Sequence, residues 1–290
     1  MHARVAAATA IALFGLGVAM LPTPHAGAAG DDQLVVVAHR GASGYAPENT
    51  LAAIDRAAAM GFGWVENDVQ RTKDGRLVVI HDATLERTTN VKLLFPHRAP
   101  WRVRDFTAKE IARLDAGSWY GRRYAGVRVP TLQQYMERVS HNRQSLVLEI
   151  KNPELYPGIE GQTLALLDKE GWLDSGHLRD RLIVQSFSAA SVRTVHALRP
   201  GIRTAYLGTP RVTELRAYAR FADQINALYT KLSPGYVSAV HALKGPHDKP
   251  MKVFAWTVNG ADEARRVDCF GVDGVITNVP DVVRAAVTAR

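Results

Sequence analysis

The chain has 290 residues, 47% hydrophobic and 22% charged, with 36 Lys and Arg against 28 Asp and Glu for a net charge of +8. That balance excludes a disordered or fibrous chain, and the length suits one large domain. The single cysteine, Cys269, excludes an internal disulfide, so the core alone must hold the fold.

Residues 1–4 form a short basic start, residues 5–20 an apolar run, and Ala26-Gly27-Ala28 a small-residue cleavage site. This is the layout of a secretory signal peptide over residues 1–28. The apolar run falls short of the roughly 20 residues of a spanning helix and is followed by Pro22 and Pro24. The expectation is export and cleavage to an extracytoplasmic chain of residues 29–290, without stable membrane insertion, at a net charge of +7 once Arg4 is lost.

Beyond residue 28, apolar runs of strand length alternate with helical patterns. The strand candidates are residues 34–38, 64–69, 77–80, 145–150, 182–185, 203–207, 224–229, 252–257 and 274–277. Such alternation predicts a parallel sheet wrapped by helices, an α/β fold of the (β/α)8 barrel type. Nine strands are one too many, and the second and third are joined only by the turn around Thr72-Lys73-Asp74-Gly75, too short for a parallel crossover. One arm of that pair is therefore expected to be a hairpin excursion.

Helical patterns fall in the intervals. Pro47 and Glu48 suit a first turn, with Leu51, Ile54 and Ala58 as its apolar face and Gly61 as its end. Others are expected at 131–141, 160–170, 189–198, 212–221, 236–243 and 261–267. Residues 84–129 are too long for a simple connection and carry Phe95, Trp101, Trp119 and Tyr120, so they are expected to form an insertion capping one barrel mouth. Cys269 is expected to be packed, and His97, His141, His196 and His241 to be structural residues of the insertion or of helix surfaces, without a partner motif. A basic balance suits an anionic substrate or anionic wall polymers. Lys and Arg nevertheless look scattered, aromatics do not interleave with them, and no nucleic-acid motif is present, so no nucleic-acid partner is expected.

Active sites in such barrels gather at the carboxyl ends of the strands. There stand His39 and Arg40 after the first strand, Glu66 and Asp68 late in the second, Glu149 and Lys151 at the end of SLVLEIK, and Trp256 at the end of KVFAW. Strand alternation turns Glu66 and Asp68 the same way, and Glu149 and Lys151 likewise; if Val37 faces the interior, so does His39. Three converging carboxylates repel one another unless a cation lies among them, and one hard divalent ion, Ca2+ or Mg2+, held by Glu66, Asp68 and Glu149 is expected. His39 and His81 can move protons near neutral pH, and Arg40 can fork onto phosphate oxygens. The set fits metal-assisted attack on a phosphodiester.

The residues also resemble the glycerophosphodiester phosphodiesterase family, in its secreted bacterial type. The resemblance is carried in order by HRGASGYAPENT from His39, VENDVQRTKDG from Val65, VVIHDATLERTTN from Val78, LDAGSWYG from Leu114, VPTLQQYM from Val129, LEIK from Leu148, FAWTVN from Phe254 and GVDGVITNVPD from Gly271. It implies a phosphodiesterase barrel with an insertion after the HD segment. It also implies His39 and His81 as the acid and base, Arg40 as the phosphate contact, Glu66, Asp68 and Glu149 as metal ligands, and Lys151 and Trp256 in the substrate cleft. Two positions depart from the family pattern: Asn67, where a small or apolar residue is usual, and Asn278, where aspartate is commoner. By alternation Asn67 should point away from the ligands, and Asn278 is expected to serve the turn.

The implied activity is hydrolysis of a small-molecule glycerophosphodiester to sn-glycerol 3-phosphate and an alcohol, attacked by water or by the neighbouring glycerol hydroxyl. Two alternatives accompany it: a phospholipase D-like enzyme acting on intact phospholipid or sphingomyelin, and a non-catalytic binder of anionic envelope polymers. The full PENT, TKDG and HD pattern favours the first reading, and a complete set of catalytic positions weighs against the last.

Overall fold

The computed structural model describes residue 2 and residues 34–288. Apart from residue 2, the expected signal peptide lies outside the described residues. Among these, nine strands form one sheet: β1 (Val35–Ala38), β2 (Trp64–Arg71), β3 (Leu77–Val79), β4 (Ser145–Ile150), β5 (Leu182–Ser186), β6 (Arg203–Leu207), β7 (Gln224–Leu228), β8 (Lys252–Trp256) and β9 (Gly274–Thr277). Eight of them run parallel in the order β1-β9-β8-β7-β6-β5-β4-β2, and β1 pairs with β2 to close the barrel. The ninth, β3, is antiparallel to β2, with Val69 opposite Val79 and Arg71 opposite Leu77. The short 72–76 turn is thus a hairpin, as its length requires.

The strands read as continuous apolar runs because both of their faces are covered. Inward, Val37, Val147, Ile183, Ala205, Phe254 and Ile276 fill the barrel. Outward, Val65, Leu146 and Leu148 pack on Leu132, Tyr135, Met136 and Val139 of the helix Leu132–His141, and Ile225, Val253 and Val275 pack on Val237, Val240 and Val267. That helix starts with a capping box between Thr131 and Gln134.

Three details differ from expectation. The first helix is Leu51–Ala59, capped by Thr50, so Pro47 and Glu48 precede it. A further helix, Pro280–Thr288, follows β9 and buries Val283 and Ala286. Cys269 ends the helix Ala261–Cys269 and is exposed rather than packed, because the buried stripe of that helix is Ala264 and Val267.

Residues 84–129 fold as short helices, including Val91–Leu94 and Ala108–Ile111, around their own small core. Leu85, Val91, Val103, Phe106, Ile111 and Leu114 pack there against Val78 and Ile80 of the hairpin arm. Asp115 ties the far end, accepting from the backbone N–H groups of Gly117, Ser118 and Gly126 at 2.7–2.8 Å. These bonds hold its carboxyl down to about 2 despite some burial. Among the described residues no helix is long and apolar enough to cross a membrane.

Candidate active site

The hairpin explains how His81, on an antiparallel arm, reaches the same mouth as residues of parallel strands. β2 climbs past Asp68, the chain turns, and β3 descends until the Ile80 N–H bonds the Asp68 carbonyl at 2.9 Å. His81 follows at the level of the carboxylates. Gln70 pins this bend, its Nε2 lying 2.6–3.0 Å from the carbonyls of Ile80, His81 and Asp82.

At the end of β1 the chain turns sharply, with Arg40 at φ 56° and Gly41 at φ 77°. A Cβ on Gly41 would lie 2.6 Å from the Ala53 backbone, so only glycine fits beneath the first helix. The left-handed turn directs the Arg40 N–H onto Glu66 Oε2 at 2.9 Å and leaves His39 Nε2 4.0 Å from that same oxygen. Behind His39, Nδ1 donates to Asn278 Oδ1 at 2.6 Å, which also accepts from Ser43 Oγ at 2.9 Å. Asn278 therefore does more than serve a turn: it sets the His39 tautomer, leaving Nε2 unprotonated toward the cleft. Burial first, and then Arg40, lower the His39 imidazole to about 4.

Glu66, Asp68 and Glu149 are all buried, and their oxygens lie within 4.8 Å of one another. Asp68 and Glu149 are direct cross-strand neighbours. Asp68 Oδ2 accepts from Asn49 Nδ2 at 2.8 Å and faces Arg40 Nε at 3.3 Å, while Lys151 Nζ stands 3.6 Å from Asp68 Oδ1 and 2.9 Å from Glu149 Oε1. So two basic side chains lean on the triad. Burial raises all three carboxyls, but Arg40, Lys151 and His81 outweigh it at Asp68, whose net shift is downward. Burial, then Asp68 and Glu149, push the Glu66 carboxyl well up; burial and then Asp68 bring Glu149 to about 8. Without a cation, then, the triad keeps protons that carboxylates at neutral pH normally lose.

This pattern fits a divalent cation. Three carboxylates face two basic groups, an excess of one negative charge; a divalent ion and a phosphodiester monoanion together bring the site to neutrality. Oxygen-only donors are those of a hard ion such as Ca2+ or Mg2+.

Several groups outside the sequence-derived set complete the site. Arg87 donates to both oxygens of Glu48 at 2.7–2.8 Å and to both oxygens of Asp82 at 2.5–3.1 Å. Asp82 in turn accepts from His81 Nδ1 at 2.7 Å, and Glu48 accepts from Arg40 NH1 at 2.8 Å. One arginine thus anchors the carboxylates that hold one histidine and one arginine of the cleft. Inside the barrel, Gln224 Nε2 donates to Asn226 Oδ1, Asn226 Nδ2 to Gln185 Oε1, and Gln185 Nε2 reaches Glu66 Oε1 at 3.4 Å. Glu48 and Asp82 stand in the PENT and HD segments beside chosen residues, a signal that adjacency offered. Gln185 and Asn226 carry no local signal.

The cleft is lined by His39, Arg40, Glu66, His81, Glu149, Lys151 and Trp256, together with Phe187 and Leu207. Trp256 donates its indole N–H to the Asn226 carbonyl at 2.7 Å and meets Phe187 edge to face, centroids 5.4 Å apart. Phe187 is a cleft residue absent from the sequence expectation. Asn67 points away from the ligands as alternation requires, but both its polar side-chain atoms are buried without hydrogen-bond partners. His241, which no partner motif accompanies in the sequence, has its Nε2 2.9 Å from Asp273 Oδ2, because the start of β9 comes beside its helix.

The glycerophosphoryl diester phosphodiesterase family profile matches residues 39–282. A glycerophosphodiester phosphodiesterase of Caldanaerobacter subterraneus subsp. tengcongensis is 36% identical over 252 residues, 86% of this chain and 96% of that protein. One from Bacillus subtilis (strain 168) is 34% identical over 264 residues, 87% of this chain and 85% of that protein. Among solved structures, an Oleispira antarctica phosphodiesterase in complex with the product sn-glycerol-3-phosphate superposes with a TM-score of 0.75 at 29% identity, covering 88% of this chain and 96% of the other.

Proposed function

The chain belongs to the glycerophosphoryl diester phosphodiesterase family, and from that premise we propose that its cleft hydrolyses glycerophosphodiesters to sn-glycerol 3-phosphate and an alcohol. The observation that carries the reading is the gathering of His39, His81, Arg40, Lys151 and the three carboxylates around one cleft at the carboxyl ends of the strands. Glu66, Asp68 and Glu149 are the residues to hold a divalent ion, Ca2+ or Mg2+. When bound, that ion supplies positive charge that draws a phosphodiester in and stabilises its transition state.

The histidines divide the proton work by their partners. His39, tied to a neutral amide and buried, presents an unprotonated Nε2 and serves as the base toward the attacking hydroxyl or water. His81 has the Asp82 carboxylate behind it, so its ring can carry a positive charge and give a proton from Nε2 to the departing alkoxide. Arg40 and Lys151 bind the nonbridging oxygens, with Trp256 and Phe187 as the apolar wall for the substrate's carbon skeleton. We further propose that the protein is exported after cleavage near residue 28, which N-terminal sequencing of protein recovered outside the cytoplasm checks.

Phosphorus NMR of glycerophosphocholine incubated with the protein, with Ca2+ or Mg2+ and with EDTA, tests the function. Metal-dependent appearance of glycerol 3-phosphate is expected; phosphocholine as the product, or no turnover, refutes it. A nitrophenyl ester needs little protonation on departure, so it should rescue His81→Ala and leave His39→Ala slow. The opposite pattern reverses the assignment.

A further inference from the structure

Lys and Arg are not evenly spread in this chain. Residues 84–129 hold ten of them against four Asp and Glu, a net +6 of the chain's +8. Within that segment, residues 86–104 contain five basic residues and one acidic, Glu86, which pairs with Lys92 at 2.9 Å. The rest of the protein is close to neutral, so the positive field is local.

The same stretch carries the most exposed large apolar side chain among the described residues. In the short helix Val91–Leu94, Val91 is buried while Leu93 is 78% and Leu94 36% exposed. Lys92 lies over the Trp101 ring at 5.5 Å, and Arg98 over Phe95 and Phe106. An apolar tip stands beside cations whose charged groups lie over aromatic rings, Lys92 also pairing with Glu86 and Arg98 with Glu110.

This knob is rooted at the cleft. Leu85 N bonds the Trp101 carbonyl and Val103 N bonds the Ala83 carbonyl, both at 2.9 Å, so residues 86–100 form an excursion whose base begins two residues after His81.

We propose that this excursion docks the enzyme on an anionic lipid bilayer, with Leu93 and Leu94 entering the headgroup boundary while Lys92 and Arg102 meet lipid phosphates. Two exposed leucines alone would mark any hydrophobic contact, and the cations alone any polyanion. Their combination, with a single carboxylate, Glu86, against five basic residues over 86–104, matches a membrane surface, where apolar burial and attraction to anionic lipid add. Docking there brings the cleft rim to a surface from which lipid-derived diesters are released. The inference is independent of the reaction, since it concerns none of the catalytic groups.

The test uses the full chain with Cys269→Ser and Leu93→Cys, labelled at residue 93 with an environment-sensitive nitrobenzoxadiazole. A label on the knob reports its own insertion whatever else the chain binds. Phosphatidylglycerol and phosphatidylcholine vesicles, mixed in equal parts, should shift the emission to the blue, and phosphatidylcholine alone should not. High salt should abolish the shift, and Lys92→Glu with Arg102→Glu should weaken vesicle binding about tenfold or more. Hydrolysis of glycerophosphocholine by that double variant should be unchanged, which also shows that it folds. An absent shift on anionic vesicles overturns the proposal. So does an equal shift with soluble polyphosphate, which would make the knob a polymer-binding surface.

Discussion

Asn278 Oδ1 holds His39 Nδ1 at 2.6 Å, so a neutral amide stands behind one histidine while a carboxylate, Asp82, stands behind the other at 2.7 Å. This asymmetry makes the two rings distinguishable. His39 sits at about 4 because of burial and Arg40, and as a base it is active when unprotonated, so activity should fall as pH falls through that value. Asn278→Asp places a negative charge beside the ring, which favours its protonated form. The acid limb of the kcat/KM profile should therefore move up by about one unit or more. An unmoved limb would mean that His39 is not the base.

Arg87 is the joint of the network, with four hydrogen bonds to Glu48 and Asp82. Arg87→Ala releases both carboxylates and should lower kcat by about tenfold to a hundredfold, as does loss of a group that orients site residues. Arg87→Lys, with one ammonium in place of a planar fork, should recover little of it. Added guanidinium should restore part of the loss in the alanine variant. Wild-type kcat in Arg87→Ala would remove the joint from the mechanism.

The triad predicts a proton signature for metal binding. Glu149, raised to about 8 by burial and then Asp68, keeps in the cation-free fold a proton that the unfolded chain has lost above its ordinary carboxyl value. The folded state therefore binds more protons in that window, and the stability of EDTA-treated protein should fall as pH rises from about 5 toward 8. Saturating Ca2+ or Mg2+ should flatten the slope, and titration calorimetry at pH 7 should record proton release on binding. Glu66→Ala, Asp68→Ala and Glu149→Ala should each abolish turnover, and EDTA should do so reversibly. Metal binding without proton release at pH 7 contradicts this picture.

Asp115 governs the far end of the 84–129 segment. Asp115→Ala leaves three backbone N–H groups without their acceptor and should cost about 1.5–3 kcal/mol, the range for hydrogen bonds to a charged group. The carboxyl is held at about 2, so its contribution is present above the ordinary aspartate value and lost as pH falls through 2. Chemical denaturation at pH 7 and pH 3 checks both: the gap between wild type and variant should narrow at the lower pH. An equal gap at both would assign the effect to something other than the charge.

Local chemistry made much of this protein legible from its residues in order. Buried parallel strands need apolar runs, so eight strands and a hairpin could be read, and strand alternation alone turned Glu66 and Asp68 one way and put Val37 and His39 on one face. What escaped were contacts between residues far apart in the chain. His39 meets Asn278 across 239 positions, Arg87 meets Glu48 across 39, and Gln185 reaches Glu66 across 119. Glu48 looked like a helix residue because its sequence neighbours permit a first turn, but two arginines claimed its carboxylate. Propensity and alternation act over a few residues, whereas barrel closure decides which side chains share the mouth; the amide behind His39 and the arginine behind Asp82 exist as partners only once β1 and β9 are paired and the 84–129 segment has packed on the hairpin.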